Sequence, residues 1–586
     1  MTRSRWYTVL AILRVVGSLV LLGMVHPDEF FQSQEVMAKY FRADDNAIIR
    51  RELLIPWEFQ LPTPNRSIIF PALVAGLPYK LLDLLGIKLT GWLLLITPRL
   101  FLCSLSFLID VILYEIVGKL NRHQKLQIQR EKQEKVLLLF ASSWPTFVFL
   151  CRPFSNTMAT LVLALCFAVL FLVNPHRRVL HGLLHVQSLL LGSLLAIGFF
   201  TRFTFPVFFV PLGLELLRQQ DALLIHAIRR KGDGTSASCV ARRVTATVAV
   251  VIQAFVAFMI WAMGFIVVDT LYYRSEVFHG EWNRSLLEQI ARNAVIAPIN
   301  NLLYNIQYDN LKQHGVHPRF THLTVNMPML FGPVFFVFLM MVFRHPDRSF
   351  FGSACVFFPL ACLSLAPHQE PRFMLPAIVP LYLFTALNGR TGVVRYLTKQ
   401  KFGKLLWIVF NLSLTFFFGI LHQGGVVPML LSLSSMTLNS MDNPVTSVTW
   451  VTSCCNFDVV DKVLLGMIGA VPLVFAKTYM PPRFLLTGMP VAPSFQLIDL
   501  AGNTLDDFSK MVTMNKAGQV SSGHGTTTFF LVLPASVEFQ DIGLGNATSI
   551  LSSLKLGGCF PHLSTENLAL DKSFALDLYL IKLEVT

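Results

Sequence analysis

Two adjacent carboxylates follow the first apolar stretch of the chain. Residues 26–29 read HPDE after an apolar run over 7–25, so Asp28 and Glu29 lie where a membrane segment would end. Acids in that position can simply cap a following helix. A partly desolvated carboxylate beside another acid would instead have a raised pKa and would be suited to taking a proton from a hydroxyl group. The pair alone leaves both interpretations open.

A second set of ionisable residues lies inside the apolar segment 91–117. At about 100° per residue, Arg99, Ser106 and Asp110 fall within roughly 20° of one helix face. Arg99 and Asp110 would be about 16 Å apart along the helix axis, too far for an ion pair. Charged side chains within a span usually face a polar cavity or a partner helix, so a structural and a functional role are both compatible with this pattern.

Polar residues are unusually dense in the segment 300–328, which reads NNLLYNIQYDNLKQHGVHPRFTHLTVNMP. Their side chains suit the hydroxyls and phosphates of a sugar ligand. The histidine spacings match no zinc pattern, so no metal site is predicted. The candidate ligand-binding residues here are His314, His317, Arg319 and His322.

Cationic residues also stand at the ends of later apolar segments. PHQEPRF (367–373) contains His368 and Arg372, and a guanidinium matches a phosphate by its forked geometry. Arg202, in GFFTRFTFP (198–206), either reaches the membrane surface or contacts an anionic lipid head group.

The composition decides which elements must position these residues. The chain has 586 residues, of which 54% are hydrophobic and only 14% charged, whereas a soluble domain has about a quarter charged residues. The net charge of +14 is concentrated in short loops, as expected for the cytoplasmic loops of a membrane protein. The sequence therefore predicts an all-α polytopic membrane protein, and it argues against nucleic-acid binding.

The apolar segments and their flanking charges predict a topology. If Arg3 and Arg5 are cytoplasmic, the basic loop 119–135 is cytoplasmic too, and so are the later basic loops. The predicted spans are 7–25, 91–117, 136–150, 156–174, 185–200, 205–218, 244–268, 328–343, 350–366, 373–388, 404–421 and 462–476.

Two large loops fall on the opposite, lumenal side in this topology. The first is 26–90 and the second is 269–327, and loops of such length between spans are more often functional than idle. The sequons at Asn65 and Asn283 fall in these loops, in agreement with a lumenal, glycosylated face. Residues 1–476 are thus predicted as the membrane domain and 477–586 as a small non-membrane appendage, whose side of the membrane the sequence leaves open.

The order of these motifs resembles a known family. HPDE, PRL…S…D in the second span, RPFSNT (152–157), GFFTRFTFP and HQEPRF are similar to the dolichyl-phosphate-mannose-dependent mannosyltransferases of glycosyltransferase family 22. The resemblance implies a GT-C bundle of about 10–12 transmembrane helices in the endoplasmic reticulum membrane. The family's SNT motif usually continues Leu-Glu, whereas here it continues Met158-Ala159, so any role of that glutamate is absent or moved.

Further motifs indicate a branch of the family. PWEF (56–59), NRSIIFP (65–71), HGVHPRFTH, HQGGVVP (422–428) and KTYMPPR (477–483) resemble the members that act on the glycolipid precursor of the GPI anchor. The resemblance implies transfer of a fourth, α1,2-linked mannose from dolichyl-phosphate mannose, with inversion. Addition of the third GPI mannose or action on the dolichol-linked oligosaccharide remains an alternative, as do an inactive scaffold and a transporter, which would place its binding residues near the bilayer midplane.

The resemblance also implies roles for the candidate residues. An inverting transfer needs one base on the acceptor hydroxyl and stabilisation of the leaving phosphate. Asp28 is expected to be the base, with Glu29 orienting it or the acceptor. Arg372, His368 and Arg202 are expected at the donor phosphate, and the residues from His314 to His322 at the acceptor. Cationic side chains can neutralise the leaving group, so no metal cofactor is expected.

Overall fold

The computed structural model describes most of the chain and is mainly helical. The described residues are 5–41, 53–179, 184–230, 237–278, 284–312, 315–344, 346–387, 400–439, 470–486, 494–500, 527–537, 550–563 and 576–585. His314 and the sequon at Asn283 lie outside them. The Asn65 side chain is buried, so the folded protein does not present it for glycosylation.

Eighteen helices are labelled α1–α18 in chain order. They are Arg5–Val20, Glu35–Phe41, Leu77–Leu84, Gly91–Leu120, Leu126–Ala141, Trp144–Val148, Ser155–Leu172, Val186–Thr201, Phe205–Arg230, Ala237–Tyr273, Arg284–Arg292, Ala297–Ile306, Tyr308–Lys312, Met327–Arg344, Pro346–Ser364, Ile378–Leu387, Lys401–Phe416 and Val426–Asn439. The short helical turns Ile69–Pro71 and Ala72–Gly76 lead into α3.

Five of the described helical segments are long and apolar enough to cross a membrane. They are Gly91–Leu120, Ser155–Leu172, Val240–Tyr273, His322–Arg344 and Lys401–Leu421, and shorter apolar helices cover Val186–Thr201, Phe350–Ser364 and Pro371–Leu387. The prediction of a multi-pass membrane protein is therefore confirmed.

Two of the predicted spans are wrong as continuous membrane helices. The span 136–150 is divided between α5 and α6, because the chain leaves the helix at Ser142 and Ser143 and Pro145 begins a new one. In the span 462–476, Ala470–Phe475 forms a β-strand. Its β-branched residues fit a buried strand as well as a helix, and apolarity alone does not distinguish the two.

A five-stranded sheet follows the helices. Its strands are β3 Ala470–Phe475, β4 Ser494–Asp499, β5 Thr527–Pro534, β6 Ile550–Pro561 and β7 Asp577–Val585; a separate hairpin pairs β1 Arg178–Val179 with β2 Leu184–His185. The strand order is β4-β3-β5-β7-β6; β3 is parallel to both its neighbours and β7 antiparallel to both of its own. The sheet begins before Lys477, the predicted start of the appendage.

The chain forms two compact units. The first comprises Met1–Val16, Pro56–Leu73 and Leu100–Leu412, and the second comprises Gly17–Ile55, Val74–Arg99 and Ser413–Thr586. The second unit thus contains HPDE and the sheet, whereas the first contains most of the long apolar helices.

Candidate active site

HPDE forms a tight turn into a helical segment of the second unit. Pro27 accepts the N–H of Phe30 at 2.9 Å, and a π-helical turn over Phe30–Gln34 leads into α2. The Asp28 carboxylate accepts a hydrogen bond from Gln32 Nε2, and its backbone N–H donates to His26 Nδ1 at 3.1 Å. The side chain of Asp28 is 24% exposed and that of His26 is 30% exposed. The Asp28 carboxylate thus contacts Gln32 and His26 and keeps partial solvent exposure.

Glu29 has a different environment although it is the next residue. Its side chain is fully buried, and its Oε1 accepts from Arg99 Nε at 2.8 Å. Arg99 also donates to the carbonyl of Leu21 at 3.2 Å, at the end of the first helical segment. Since the guanidinium neutralises Glu29, the two acids do not act as a like-charged pair. Glu29 is therefore fixed inside the HPDE turn, whereas the Asp28 side chain is partly exposed.

Two residues for which the sequence predicted no role, His422 and Tyr479, adjoin this turn. The Tyr479 ring lies near those of both His26 and His422, with centroid distances of 6.2 and 5.5 Å. His422 Nδ1 hydrogen bonds to the carbonyl of Met24 at 2.8 Å. Gln423 accepts the N–H of Tyr479 at 3.1 Å and has a positive φ of 49°, a conformation rare for a residue with a side chain. Their signal in the sequence was the pair of motifs HQGGVVP and KTYMPPR.

The C-terminal sheet is attached to the segment that carries His422 and Gln423. Leu563, just after β6, donates to the carbonyl of Leu421 at 2.8 Å and accepts from Gln423 at 3.0 Å. A Cβ on Gly424 would lie 2.4 Å from the carbonyl oxygen of Pro561, so only glycine allows this approach. The end of β6 is therefore attached to the segment that carries His422.

Glu35 connects this region to the segment after β3. The carboxylate is fully buried and accepts backbone N–H groups from Phe484 at 3.1 Å and Leu54 at 3.3 Å. Burial raises the pKa of Glu35 to about 7, against the opposing effects of these N–H groups and of the Arg483 charge. Glu35 is therefore a buried titratable group at the start of α2, the helix that follows the HPDE turn.

This pKa predicts a pH-dependent stability. The unfolded carboxyl loses its proton near its usual pKa of 4.5, whereas the folded one keeps it up to about pH 7. The folded state therefore binds more protons in this interval, and the Glu35 contribution to the free energy of unfolding falls by about 3 kcal/mol as the pH rises through it. Thermal unfolding of wild type and Glu35→Gln from pH 4.5 to 8 measures this contribution. The variant should give the flatter profile, and parallel profiles would contradict the assignment.

The predicted donor-phosphate residues come together in the first unit. Arg202 donates to Ser155 Oγ at 3.0 Å and to Asn156 Oδ1, and Asn156 Nδ2 donates to the carbonyl of Arg372 at 2.6 Å. Both guanidinium groups lie near the ring of Phe373, at 5.3 Å for Arg202 and 5.6 Å for Arg372. RPFSNT, GFFTRFTFP and HQEPRF thus build one cationic cluster.

Glu370 links Arg372 and His368 in this cluster. One carboxylate oxygen contacts Arg372 Nε and the other lies 2.7 Å from His368 Nε2. Burial lowers the pKa of His368, but the hydrogen bond and charge of Glu370 outweigh it, so the net pKa is raised. The cluster is therefore held together by one carboxylate, and its net charge favours an anionic ligand.

Gln369 connects the predicted acceptor residues to the same loop. Its buried amide donates to the carbonyl of Arg319 at 3.2 Å and accepts the N–H of His322 at 2.9 Å, while its backbone N–H donates to His317 Nδ1 at 3.3 Å. His322 is fully buried, whereas Arg319 is exposed and donates to the carbonyl of Leu365. The predicted donor and acceptor residues thus belong to one connected structure, and the sequence gave no signal that Gln369 joins them.

Arg99 and Asp110 of α4 have separate partners. Arg99 pairs with Glu29, and Asp110 accepts from Arg14 on α1 at 2.7 Å. Arg14 also donates to Ser106 at 3.2 Å. The polar face of α4 is therefore satisfied by structural ion pairs, as one of the two interpretations expects, and Arg99 does not pair with Asp110.

Comparison with known proteins adds to this geometry. A sequence model described as the Alg9-like mannosyltransferase family matches residues 5–483. The Homo sapiens protein named GPI alpha-1,2-mannosyltransferase 4 is 30% identical, and the alignment covers 95% of this chain and 88% of that protein. GPI mannosyltransferase 4 of Aspergillus oryzae is 29% identical, covering 94% and 91%. ArnT from Cupriavidus metallidurans bound to undecaprenyl phosphate superposes with a TM-score of 0.47 at 10% identity, covering 98% and 97%.

Proposed function

The chain belongs to the Alg9-like mannosyltransferase family, and from this premise we propose that it transfers the fourth, α1,2-linked mannose to the GPI-anchor precursor. It is a membrane-embedded mannosyltransferase of GPI-anchor biosynthesis that uses a lipid-linked sugar donor and a glycolipid acceptor. The specific donor is dolichyl-phosphate mannose and the acceptor carries three mannoses. The reaction takes place at the lumenal face of the endoplasmic reticulum membrane.

The exposed carboxylate of Asp28 supports a single displacement. The donor is β-linked and the product α-linked, so the acceptor 2-hydroxyl attacks the anomeric carbon as the bond to the phosphate breaks. Asp28 takes the hydroxyl proton while Gln32 and His26 hold its carboxylate and backbone in place. Glu29, buried against Arg99, keeps the turn in position. This difference between the two acids is the observation on which the assignment of the base depends.

The cationic cluster of the first unit suits the leaving phosphate. Arg202 and Arg372 are gathered at Phe373, and His368 has a raised pKa. Fixed cations stabilise the negative charge that develops on the phosphate as the glycosidic bond breaks. His317 and Arg319, held by Gln369, are assigned to the acceptor glycan or its phosphates.

The decisive assay is transfer by purified, reconstituted enzyme from dolichyl-phosphate mannose to a defined trimannosyl GPI lipid. A tetramannosyl product with a new α1,2 linkage is expected. The matched acceptor is the dimannosyl GPI lipid, which should remain unmodified. Transfer to the dimannosyl lipid alone, or only to a dolichol-linked oligosaccharide, would reassign the enzyme within its family.

Chelation of divalent metals should leave this reaction unchanged. The proposed cluster neutralises the leaving phosphate with side-chain cations, so no metal ion is needed in that role. Initial rates in excess EDTA and in excess Mg²⁺ test the expectation. A loss of rate in EDTA that is restored by Mg²⁺ would show that the side chains alone are insufficient.

A further inference from the structure

Trp57 lies on the first unit beside a second aromatic ring. Its side chain is 46% exposed, and its ring centroid lies 4.8 Å from that of Tyr304, with the planes inclined by 38°. Next to it, the carboxylate of Glu58 and the guanidinium of Arg66 form an ion pair at 2.9 Å. Burial raises the pKa of Tyr304, and the negative charge of Glu58 raises it further. An exposed aromatic surface is thus bordered by one negatively and one positively charged side chain, both able to form hydrogen bonds.

Backbone and side-chain hydrogen bonds fix the loop that carries Trp57. The carbonyl of Glu58 accepts the N–H groups of Asn65 at 2.8 Å and Arg66 at 3.2 Å. Asp269, at the end of α10, accepts from Ser67 Oγ at 2.9 Å and from the N–H of Ile68 at 3.0 Å. The loop is therefore preorganised, which lowers the entropic cost of binding a ligand.

Helix α12 holds the loop from its other side. Asn300 and Asn301 donate to the carbonyls of Pro64 and Asn65 at 2.9 and 3.0 Å. Tyr304, one turn further along the helix, supplies the second ring. This face of α12 is thus occupied by the Trp57 loop.

The opposite face of α12 is apolar and exposed. Exposed fractions are between 41% and 67% for Ile299, Leu302, Leu303 and Ile306, whose spacing places them on one side of a helix. The helix lies in the chain between the candidate spans Val240–Tyr273 and His322–Arg344. Such a stripe in a membrane protein is covered by lipid at the bilayer surface. A glycolipid presents its sugars at the same surface of the bilayer, so the Trp57 loop beside this helix is suited to meet them.

We propose that Trp57 and Tyr304, with Glu58 and Arg66, bind mannose residues of a glycolipid whose acyl chains remain in the bilayer beside α12. The inference rests on the proposed function, because it concerns the acceptor of the same reaction. The apolar C–H face of a hexose packs on an aromatic ring, and its hydroxyls pair with the carboxylate and guanidinium. A preformed surface of this kind determines acceptor affinity and leaves donor binding unchanged.

Two measurements on Trp57→Ala test the proposal. The first is the KM for the trimannosyl GPI lipid and, separately, for dolichyl-phosphate mannose. The second is direct binding of a soluble α-linked mannotriose to the purified protein, followed by ligand-observed NMR, which needs no turnover. The variant should raise the acceptor KM and the mannotriose Kd about tenfold and leave the donor KM unchanged. Trp57→Phe should keep part of the affinity because it keeps a ring.

Trp261→Ala provides the matched control. Its indole is also 46% exposed and contacts an aromatic neighbour, Phe265, but it lies on the span α10. Trp261→Ala should change neither the acceptor KM nor the mannotriose Kd. Unchanged mannotriose binding in Trp57→Ala would overturn the proposal, and equal effects of both variants through lower stability would identify Trp57 as a membrane anchor. If the enzyme prefers another acceptor, the proposed function fails while the mannotriose measurement still reports on this surface.

Discussion

Replacing Asp28 by Asn is expected to lower the rate of mannosyl transfer by a factor of about 10² to 10⁴, the range typical for loss of a general base. Asn has nearly the same shape as Asp and can still accept a hydrogen bond from Gln32, so the HPDE turn should remain folded. The fall should appear in kcat, with the KM values for donor and acceptor changed little. Initial rates with the trimannosyl GPI lipid, at matched protein concentration and with unfolding temperatures compared, measure this effect.

Asp83→Asn is the matched control for this experiment. Asp83 has a side chain that is 53% exposed and forms a surface pair with Lys80, so its removal should leave the rate unchanged and cost little stability. An Asp28→Asn enzyme that is folded and transfers mannose at the wild-type rate would exclude Asp28 as the base. Glu29 would not replace it, because its carboxylate is buried against Arg99.

The largest expected effect on stability is that of Glu29→Gln. The substitution leaves the Arg99 guanidinium buried without its carboxylate partner, and breaking a buried ion pair from one side costs about 3–5 kcal/mol. The unfolding temperature in detergent and the amount of protein recovered from membranes should both fall. Combining Glu29→Gln with Arg99→Gln should recover part of the loss, because no unpaired charge is then buried.

The second buried ion pair of α4, between Asp110 and Arg14, allows the effect of Glu29 on stability to be distinguished from its effect on the position of Asp28. Asp110→Asn breaks the ion pair with Arg14, and both side chains of this pair are fully buried. The substitution should therefore reduce stability about as much as Glu29→Gln does. Below the unfolding temperature of both variants, only Glu29→Gln should also reduce kcat, since Glu29 adjoins Asp28 and Asp110 does not. Equal kcat values for the two variants would assign Glu29 a purely structural role.

The sequence predicted most of the helices because long apolar segments have few alternatives. It did not predict what those segments face. Ser155–Leu172 and Val240–Tyr273 are similarly apolar, yet 72% of the residues in the apolar window of the first are buried and only 17% in that of the second. Lipid and a protein interior are both apolar environments, so hydrophobicity does not distinguish them.

The candidate site was predictable where charge made it conspicuous. Asp28, Arg202, His368 and Arg372 stood out, because ionisable groups beside apolar segments are costly and therefore informative. Arg14 went unassigned although it is a charged residue inside the first apolar run, and its partner Asp110 is 96 residues away. Spacing along one helix shows which residues share a face. It does not show which distant segment supplies their interaction partners.

Uncharged residues of the site left weaker signals. Gln369 and Asn156 both bridge separate segments through buried amides, yet amides are common in loops and their burial cannot be inferred from type. The strand Ala470–Phe475 was interpreted as part of a span because its neighbours along the chain are also apolar. Its identity depends on pairing with β4 and β5, which begin well after it in the chain.

The strand order of the sheet has a consequence for how the enzyme is made. β7, the last of the five strands to be synthesised, lies between β5 and β6 and pairs with both. Leu563, which follows β6, holds the segment that carries His422. A ribosome must therefore translate past residue 577 before the surroundings of Asp28, near the start of the chain, are complete. A chain released earlier leaves the edges of β5 and β6 that pair with β7 open, and such unpaired edges invite wrong pairing and aggregation.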